Sequence, residues 1–586
     1  MANLVNLESV SHAFGTRVLL DGVGLGIGAG EVIGVVGRNG DGKTTLLRIL
    51  TGDLVPDFGR VTISNSASIG VLTQHQAGSP GETIRQVVLD GAADHAYAAR
   101  ADRREIVEAL LAGVDLERPI ETLSGGERRR VGLVEVLLGD HDLIVLDEPT
   151  NHLDVEAIAF LAAHLRSRTA AGLAMLVVSH DRWFLDAVCT RIWEVHDGVV
   201  DAYDGGYAAY VLARVERQRQ AAATEARRRN LARKELAWLR RGAPARTSKP
   251  KFRIEAAEAL ISDVPPPRDR LALEKFATSR LGKDVFDLIN VDYAVENRTL
   301  LDRLTWSIGP GDRIGLVGVN GAGKSTLLDL LAGLRAPQGG KIKRGITLRV
   351  GYLSQGVGEL DDEDRVLQSV TRLKQATKLA TGREASASNL LEEFGFTGDK
   401  LVARIGDLSG GERRRLQFLR LLLEEPNVLL LDEPTNDLDI DTLTVIEDYL
   451  DTWPGTLIVV SHDRYFLERV TDASWALLGD GSCVLLPGGV EEYLERRRGT
   501  RNSSPTSTPP TGDRPRSDAA LKRARKKELA RLESQLSKVD SEIERIHEAM
   551  TASATDFEKL AALDADLRAA RTRKDELEEA WLLAAE

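Results

Sequence analysis

Five short motifs occur twice in this chain in the same order, and that repetition constrains the fold more than any other feature. GRNGDGKTTLL at Gly37–Leu47 returns 281 positions later as GVNGAGKSTLL at Gly318–Leu328. VLTQ ending at Gln74 returns at the same offset as YLSQ ending at Gln355. LSGGERRR from Leu123 and LDEPTN around Asp147 return 285 positions on, from Leu408 and around Asp432. VVSHDR around His180 returns 282 positions on, around His462. Order and spacing together identify a tandem duplication. A chain of 586 residues is too long for one hydrophobic core, and two equivalent domains divide it.

In each half an apolar strand (32–36; 314–317) runs into a glycine-rich turn and then into helical periodicity. Further apolar strands, LIVLD at 143–147 and MLVVSH at 175–180 in the first half, 428–432 and LIVVSH at 457–462 in the second, alternate with helical stretches. The fold class is therefore α/β, with a phosphate-binding loop between a strand and a helix. The stretch from Gln74 to Leu123 leaves room for a small helical subdomain and little else.

The glycine-rich turns carry the chemistry. Gly37, Arg38, Asn39, Gly40, Asp41, Gly42, Lys43, Thr44 and Thr45 in the first half, and Gly318, Val319, Asn320, Gly321, Ala322, Gly323, Lys324, Ser325 and Thr326 in the second, match the loop that wraps backbone N–H groups around phosphates at a helix N-terminus. Lys43 and Lys324 are expected to reach the β- and γ-phosphates of ATP. Thr44 and Ser325 would offer hydroxyls to Mg²⁺, and Asp147 and Asp432, each ending an apolar strand, would hold the same ion through its water shell. The adjacent Glu148 and Glu433 are placed to orient or deprotonate the attacking water. A glycine turn alone also suits a tight strand-to-helix connection, the glutamates could cap helices, and His180 and His462 could be core histidines. Two complete copies with matched contexts favour two nucleotide sites. Asp41 stands out, because a carboxylate beside phosphates weakens binding unless it points to solvent.

LSGGE together with these motifs and the strand-end histidines resembles the ATP-binding cassette superfamily, over nearly the whole chain up to about Arg498. The resemblance implies a head-to-tail sandwich. Ser124, Gly125 and Gly126 would complete the site on Lys324, and Ser409, Gly410 and Gly411 the site on Lys43. It further implies that Gln74 and Gln355 sense the metal and the attacking water, that Asp154 and Asp439 belong to the loops joining the two halves, and that His180 and His462 assist catalysis. Phe14 and Tyr293, each about 24 residues before a phosphate loop, would stack on adenine.

The expected division is a first cassette over 1–211, a linker over 212–283, a second cassette over 284–497, a Pro/Ser/Thr tether over 498–518 and a tail over 519–586. The net charge of −12 hides a strongly basic linker: Arg214 to Arg253 holds 14 Lys/Arg against three Glu. Arg227, Arg228, Arg229, Arg233, Lys234, Arg240, Arg241, Arg246, Lys249, Lys251 and Arg253 could neutralise phosphates of a nucleic acid, with Trp238 available to stack. A solvated charged helix pair is the plainer alternative. In the tail, Leu529, Leu532, Leu536, Val539, Ile543, Ile546 and Met550 follow alternating spacings of three and four, a coiled-coil seam expected to fold back as a hairpin. Cys189 and Cys483 are far apart and unpaired in pattern, MANLVNLESV lacks the features of a secretory signal, and no apolar run approaches a membrane span, so a cytoplasmic location is expected.

Fused cassettes joined by a basic helical linker resemble the ABC-F family, and the segment Lys234–Lys251 with the tethered tail is most similar to its Uup subgroup. The resemblance implies a monomer whose two ATPase domains pair within the chain and act on the ribosome or RNA. Three alternatives stand beside it: a DNA-processing ATPase using the tail, a ribosome-protecting resistance factor, for which the linker is short, and the ATPase subunit of a membrane transporter.

Overall fold

The computed structural model describes residues 3–15, 17–72, 81–89, 101–217, 219, 282, 284–295, 298–354, 360–373, 376–378 and 384–501. All of them belong to one compact unit, Met1–Asn502. Gln74, Gln355, the linker residues Arg227 to Arg253 and the tail heptads lie outside the described residues.

The first cassette contains β1 (Asn3–Phe14), β2 (Arg17–Gly28), β3 (Val32–Val36), β4 (Phe58–Ile63), β5 (Ile69–Leu72), β6 (Leu143–Asp147), β7 (Ala174–Val178), β8 (Arg191–His196) and β9 (Val199–Asp204). β2-β1-β4 form an antiparallel sheet, and β5-β6-β7-β3-β8-β9 form a six-stranded sheet in which only β9 runs antiparallel. The second cassette contains β10 (Phe286–Val295), β11 (Arg298–Ile308), β12 (Arg313–Val317), β13 (Gly339–Arg344), β14 (Val350–Leu353), the short pair β15 (Ala376–Lys378) and β16 (Glu384–Ser386), then β17 (Val428–Asp432), β18 (Thr456–Val460), β19 (Ala473–Leu477) and β20 (Cys483–Leu486). Its sheets, β11-β10-β13 and β14-β17-β18-β12-β19-β20, repeat the order of the first. The duplication read from the motifs is a duplication of topology.

Every residue of β3, β6, β7, β17 and β18 is buried, as expected of parallel strands covered on both faces. Alternation along β3 serves two cores. Ile33 and Val35 pack with Leu46 and Trp193 on the side of the antiparallel sheet, whereas Val32 and Val36 pack with Leu161 and Phe184 on the helical side. Between β5 and β6 lie the helices Ile84–Leu89, Ala101–Leu110 and Gly125–Leu138, the small helical subdomain expected there. The C-terminal ends of β3, β6 and β7 converge, which is where an open parallel sheet places its ligands. Residues 207–217 are helical, so the helix leading into the linker starts ahead of the boundary at 212.

Candidate active sites

β3 and β12 each deliver a glycine turn to the start of a helix, Lys43–Leu50 and Lys324–Ala332. Gly42 caps the first with φ 102°, and a Cβ there would lie 3.2 Å from the carbonyl oxygen of Leu19, so conformation and space both demand glycine. The buried Lys43 Nζ donates to the carbonyls of Gly37 at 2.7 Å and Arg38 at 3.0 Å. Lys324 Nζ repeats this on Gly318 and Val319 at 2.6 and 3.1 Å. An ammonium has three donors, and the third remains for an anion held in the loop.

β6 and β17 end beside these lysines. Thr44 Oγ1 donates to Asp147 Oδ2 at 3.4 Å, and Ser325 hydrogen-bonds Asp432 in the same way. Each hydroxyl and carboxylate form a hard oxygen pair of the kind Mg²⁺ takes. The next residues, Glu148 and Glu433, have φ of 50° and 47°, a left-handed conformation that costs a non-glycine side chain energy and turns both carboxylates into the sites. Burial, reinforced by Asp147, pushes the Glu148 carboxyl up to about 8. Burial, opposed by Lys324 and reinforced by Asp432, pushes Glu433 up to about 8. The N–H of His180 donates to Glu148 Oε2 at 3.3 Å, and that of His462 to Glu433 Oε2 at 3.4 Å. Burial and the nearby lysine push both imidazoles far down, so both are neutral.

Neither site belongs to one cassette. The Asn320 N–H donates to Asp154 Oδ2 and its amide to the His152 carbonyl, both at 3.2 Å. Symmetrically, the Asn39 N–H donates to Asp439 Oδ2 at 3.2 Å and its amide to the Asp437 carbonyl at 3.0 Å. The signature residues follow. Ser124 and Ser409 cap the helices Gly125–Leu138 and Gly410–Leu423 through reciprocal bonds with Glu127 and Glu412. Ser124 and Gly126 line a cavity of about 640 Å³ shared with Lys324, Ser325, Glu433 and His462 of the other cassette. At the first site a Cβ on Gly411 would lie 2.5 Å from the Asp437 carbonyl oxygen of its own cassette and 2.9 Å from Asn39 Nδ2 of the other, so the close approach here calls for glycine.

One expectation is corrected. Phe14, at the end of the β1–β2 hairpin, is 79% exposed and free to meet a flat ligand. Its counterpart in the second cassette is Val295, since Phe14 pairs with Arg17 as Val295 pairs with Arg298, and Val295 lines the cavity. Tyr293 corresponds to His12; it packs against the core under β10 and its hydroxyl accepts a bond from Arg335 Nη1 at 3.1 Å. The 281-residue offset identifies Val295, whereas a search for the nearest aromatic leads to Tyr293. The sequence reading also missed Arg130, Asn151, His152, Arg298 and Asn436, which line the cavity. Asp41 does not point to solvent: its carboxylate accepts from the Arg38 N–H at 3.2 Å and lies 3.5 Å from Arg17.

Family models described as ABC transporter match residues 20–151 and 301–436, and a further model of the same description matches 193–275. The chain is 36% identical to the uncharacterised ABC transporter ATP-binding protein YfmR of Bacillus subtilis, over 96% of each chain. The chain belongs to the ATP-binding cassette family. It is also 35% identical to the energy-dependent translational throttle protein EttA of Escherichia coli, over 83% of this chain and 94% of that one. Relatives of this kind place it among the ABC-F ATPases. Among solved structures, the archaeal ribosome recycling factor aABCE1, in complex with ribosomal stalk protein aP1, superposes with a TM-score of 0.61 at 22% identity, over 88% of this chain and 98% of that one, and shares the fold.

This ABC-F chain is therefore an ATP hydrolase with paired cassettes. Among its described residues no helix is long and apolar enough to cross a membrane. The cassettes also meet between the two sites, where the buried Arg182 forms a bidentate pair with Glu447, donating to Oε2 at 3.0 Å and also to Oε1, and reaches Asp463 at 3.2 Å. Arg464 lies 3.5 Å above the ring of Trp183 on the same contact.

Proposed function

We propose that this protein is a cytoplasmic, ribosome-associated factor that closes on two molecules of ATP and reopens after hydrolysis, using its linker to contact RNA. The single observation that carries the closing cycle is the composite nature of both sites: each phosphate loop bonds to a loop of the opposite cassette through Asn39 or Asn320. The γ-phosphate would bridge the lysine of one cassette and the signature serine and glycines of the other, and its loss removes the bridge. Glu148 and Glu433 serve as general bases, with His180 and His462 fixing them through their backbone N–H groups. Mg²⁺, held by Thr44 with Asp147 and by Ser325 with Asp432, would supply charge neutralisation between the phosphates. Gln74 and Gln355 would complete those shells.

The ribosomal target rests on likeness to EttA, a translational throttle by its name, together with the charge of the linker. The finer reading is a Uup-like member. The relative aligned over 96% of this chain accommodates a tail of this length, while the EttA alignment spans 83%.

The test is co-sedimentation of the Glu148→Gln, Glu433→Gln protein with ribosomes, with and without ATP. Retained ATP, absent turnover and ATP-dependent pelleting support the proposal, because removing the bases spares the binding groups. Rapid turnover by that variant refutes the catalytic assignment. Failure to pellet, with tail-dependent binding to branched DNA, refutes the ribosomal one.

A further inference from the structure

The helix that leads into the linker is tied to the opposite cassette. Arg214, in the helical stretch 207–217, donates from Nη1 to Asp441 Oδ1 at 2.7 Å and from Nη2 to Asp441 Oδ2 at 3.1 Å. Its Nε faces Glu194 Oε1 at 2.9 Å. Glu194 is buried and also accepts from the hydroxyls of Tyr203 at 2.8 Å and Tyr210 at 3.1 Å, so the guanidinium is clamped to its own cassette while it grips the other. Asp441 belongs to the first turn of the helix Ile440–Asp451, directly after Asp439, which bonds the first phosphate loop. Asp441 Oδ2 also accepts from Arg38 Nε of that loop at 2.9 Å. One carboxylate thus joins the linker root and a phosphate loop from two sides.

The duplication supplies an internal control. At the equivalent place after the second cassette, Arg497 Nε and the Tyr493 hydroxyl donate to Glu156 Oε1 at 2.6 and 2.7 Å. The tie between the last helix and the opposite cassette is therefore repeated. Its extension differs in chemistry: Arg38 is replaced by Val319 in the second loop and Glu194 by Ala476, so a loop arginine paired to this carboxylate belongs to the first site. The arginine–aspartate–arginine chain from appendage to phosphate loop is built at the first site.

We propose that Arg214 is a positioning residue for the first ATP site, coupling the linker root through Asp441 and Arg38 to the phosphate loop around Lys43. A bidentate arginine–carboxylate pair is directional and exists only while the cassettes are closed. Whatever holds the linker in place then favours closure at the first site, and ATP at the first site orders the root of the linker, a coupling that is reciprocal. Asp441 is kept ionised for this role: burial would raise its carboxyl, but Arg214 and Arg38 outweigh burial and hold it below the ordinary range. The proposal stands whatever the linker binds, so it survives or fails independently of the ribosomal assignment.

The experiment uses the full-length Glu148→Gln, Glu433→Gln protein, photolabelled with 8-azido-ATP over a concentration range, with labelled peptides mapped to each site. Arg214→Ala is expected to raise the concentration for half-labelling of the first site roughly tenfold, the scale of one charged hydrogen-bonded pair, and to move the second site less than about twofold. Arg214→Lys should recover part of the loss, because it keeps the charge without the fork. In an Arg38→Val background the effect of Arg214→Ala on the first site should largely vanish, because the wire is already cut. Arg497→Ala should leave the first site unchanged. Should Arg214→Ala fold poorly, the near-isosteric Asp441→Asn carries the same comparison. Equal losses at both sites, no loss, or simple additivity of Arg214→Ala with Arg38→Val overturns the proposal.

Discussion

Replacing Arg182 by Met should cripple closure without harming either cassette. Glu447 is fully buried and its carboxylate is met by Arg182 from the first cassette and by Arg469 Nη1, at 3.2 Å, from its own. Removing one partner of a buried ion pair costs about 3–5 kcal/mol, because the other charge is left without compensation in a dry interface. Arg469 stays and reduces that cost, leaving about 2–3 kcal/mol. At 1.4 kcal/mol per tenfold, ATP-driven closure should weaken roughly 30- to 150-fold. The penalty falls on the closed form alone, since opening returns Glu447 to water. The assay is fluorescence energy transfer between dyes on the two cassettes of the Glu148→Gln, Glu433→Gln protein, titrated with ATP. Arg182→Met, Glu447→Gln should recover much of the loss, because it removes both charges together. A midpoint for Arg182→Met within threefold of the parent, with unchanged thermal stability, would refute this reasoning.

Three further outcomes follow from the same interface and loops. Burial and the facing Asp463, opposed by the Phe184 N–H and by Arg464 and Arg182, push the Asp181 carboxyl up to about 7. A carboxyl raised on folding binds its proton more tightly in the folded state, so its penalty develops between about pH 4 and 7 and is complete above. Asp181→Asn, which keeps the cap on Phe184, should melt increasingly above the parent across that range in thermal melts at stepped pH; a constant difference would exclude the effect. Asp41→Ala should tighten ATP at the first site several-fold, because it removes a negative charge from the loop, and site-resolved labelling would show no change if Arg17 already neutralises it. Gly323→Ala, with φ of 100° and a Cβ 3.1 Å from Leu300, should destabilise the second cassette by about 1–3 kcal/mol, read in denaturant unfolding, and lower labelling there.

The α/β class, the phosphate loops, the strand-end carboxylates and the helical subdomain were legible because each is encoded within a few residues of a motif. Glycine spacing, an apolar run and a following Asp-Glu act locally, so they survive without knowledge of the partner. What was not legible depends on distance. Arg182 and Glu447 lie 265 positions apart, and Arg38 and Asp441 lie 403 apart, and nothing in either neighbourhood announces the other. Asp41 was legible as unusual but not in its direction, which is set by Arg17 on a separate strand. Tyr293 shows the reverse failure: an aromatic was sought where the offset calls for valine. The roles of the linker and tail rest on composition and periodicity, which carry charge and pitch but no contacts.

The unequal pairs across the interface bear on why both cassettes share one polypeptide. Glu447 answers to Ala162 in the other half, and Arg38 to Val319. Two identical subunits meeting about a twofold axis must build every contact twice, and a substitution that helps at one site is imposed on the other. Joined in one chain, the copies are freed from that symmetry. Each gene half accumulates changes alone, and tethering keeps the partner close at any cellular concentration. An order of events, first site before second or linker before tail, then becomes something mutation can write into the molecule.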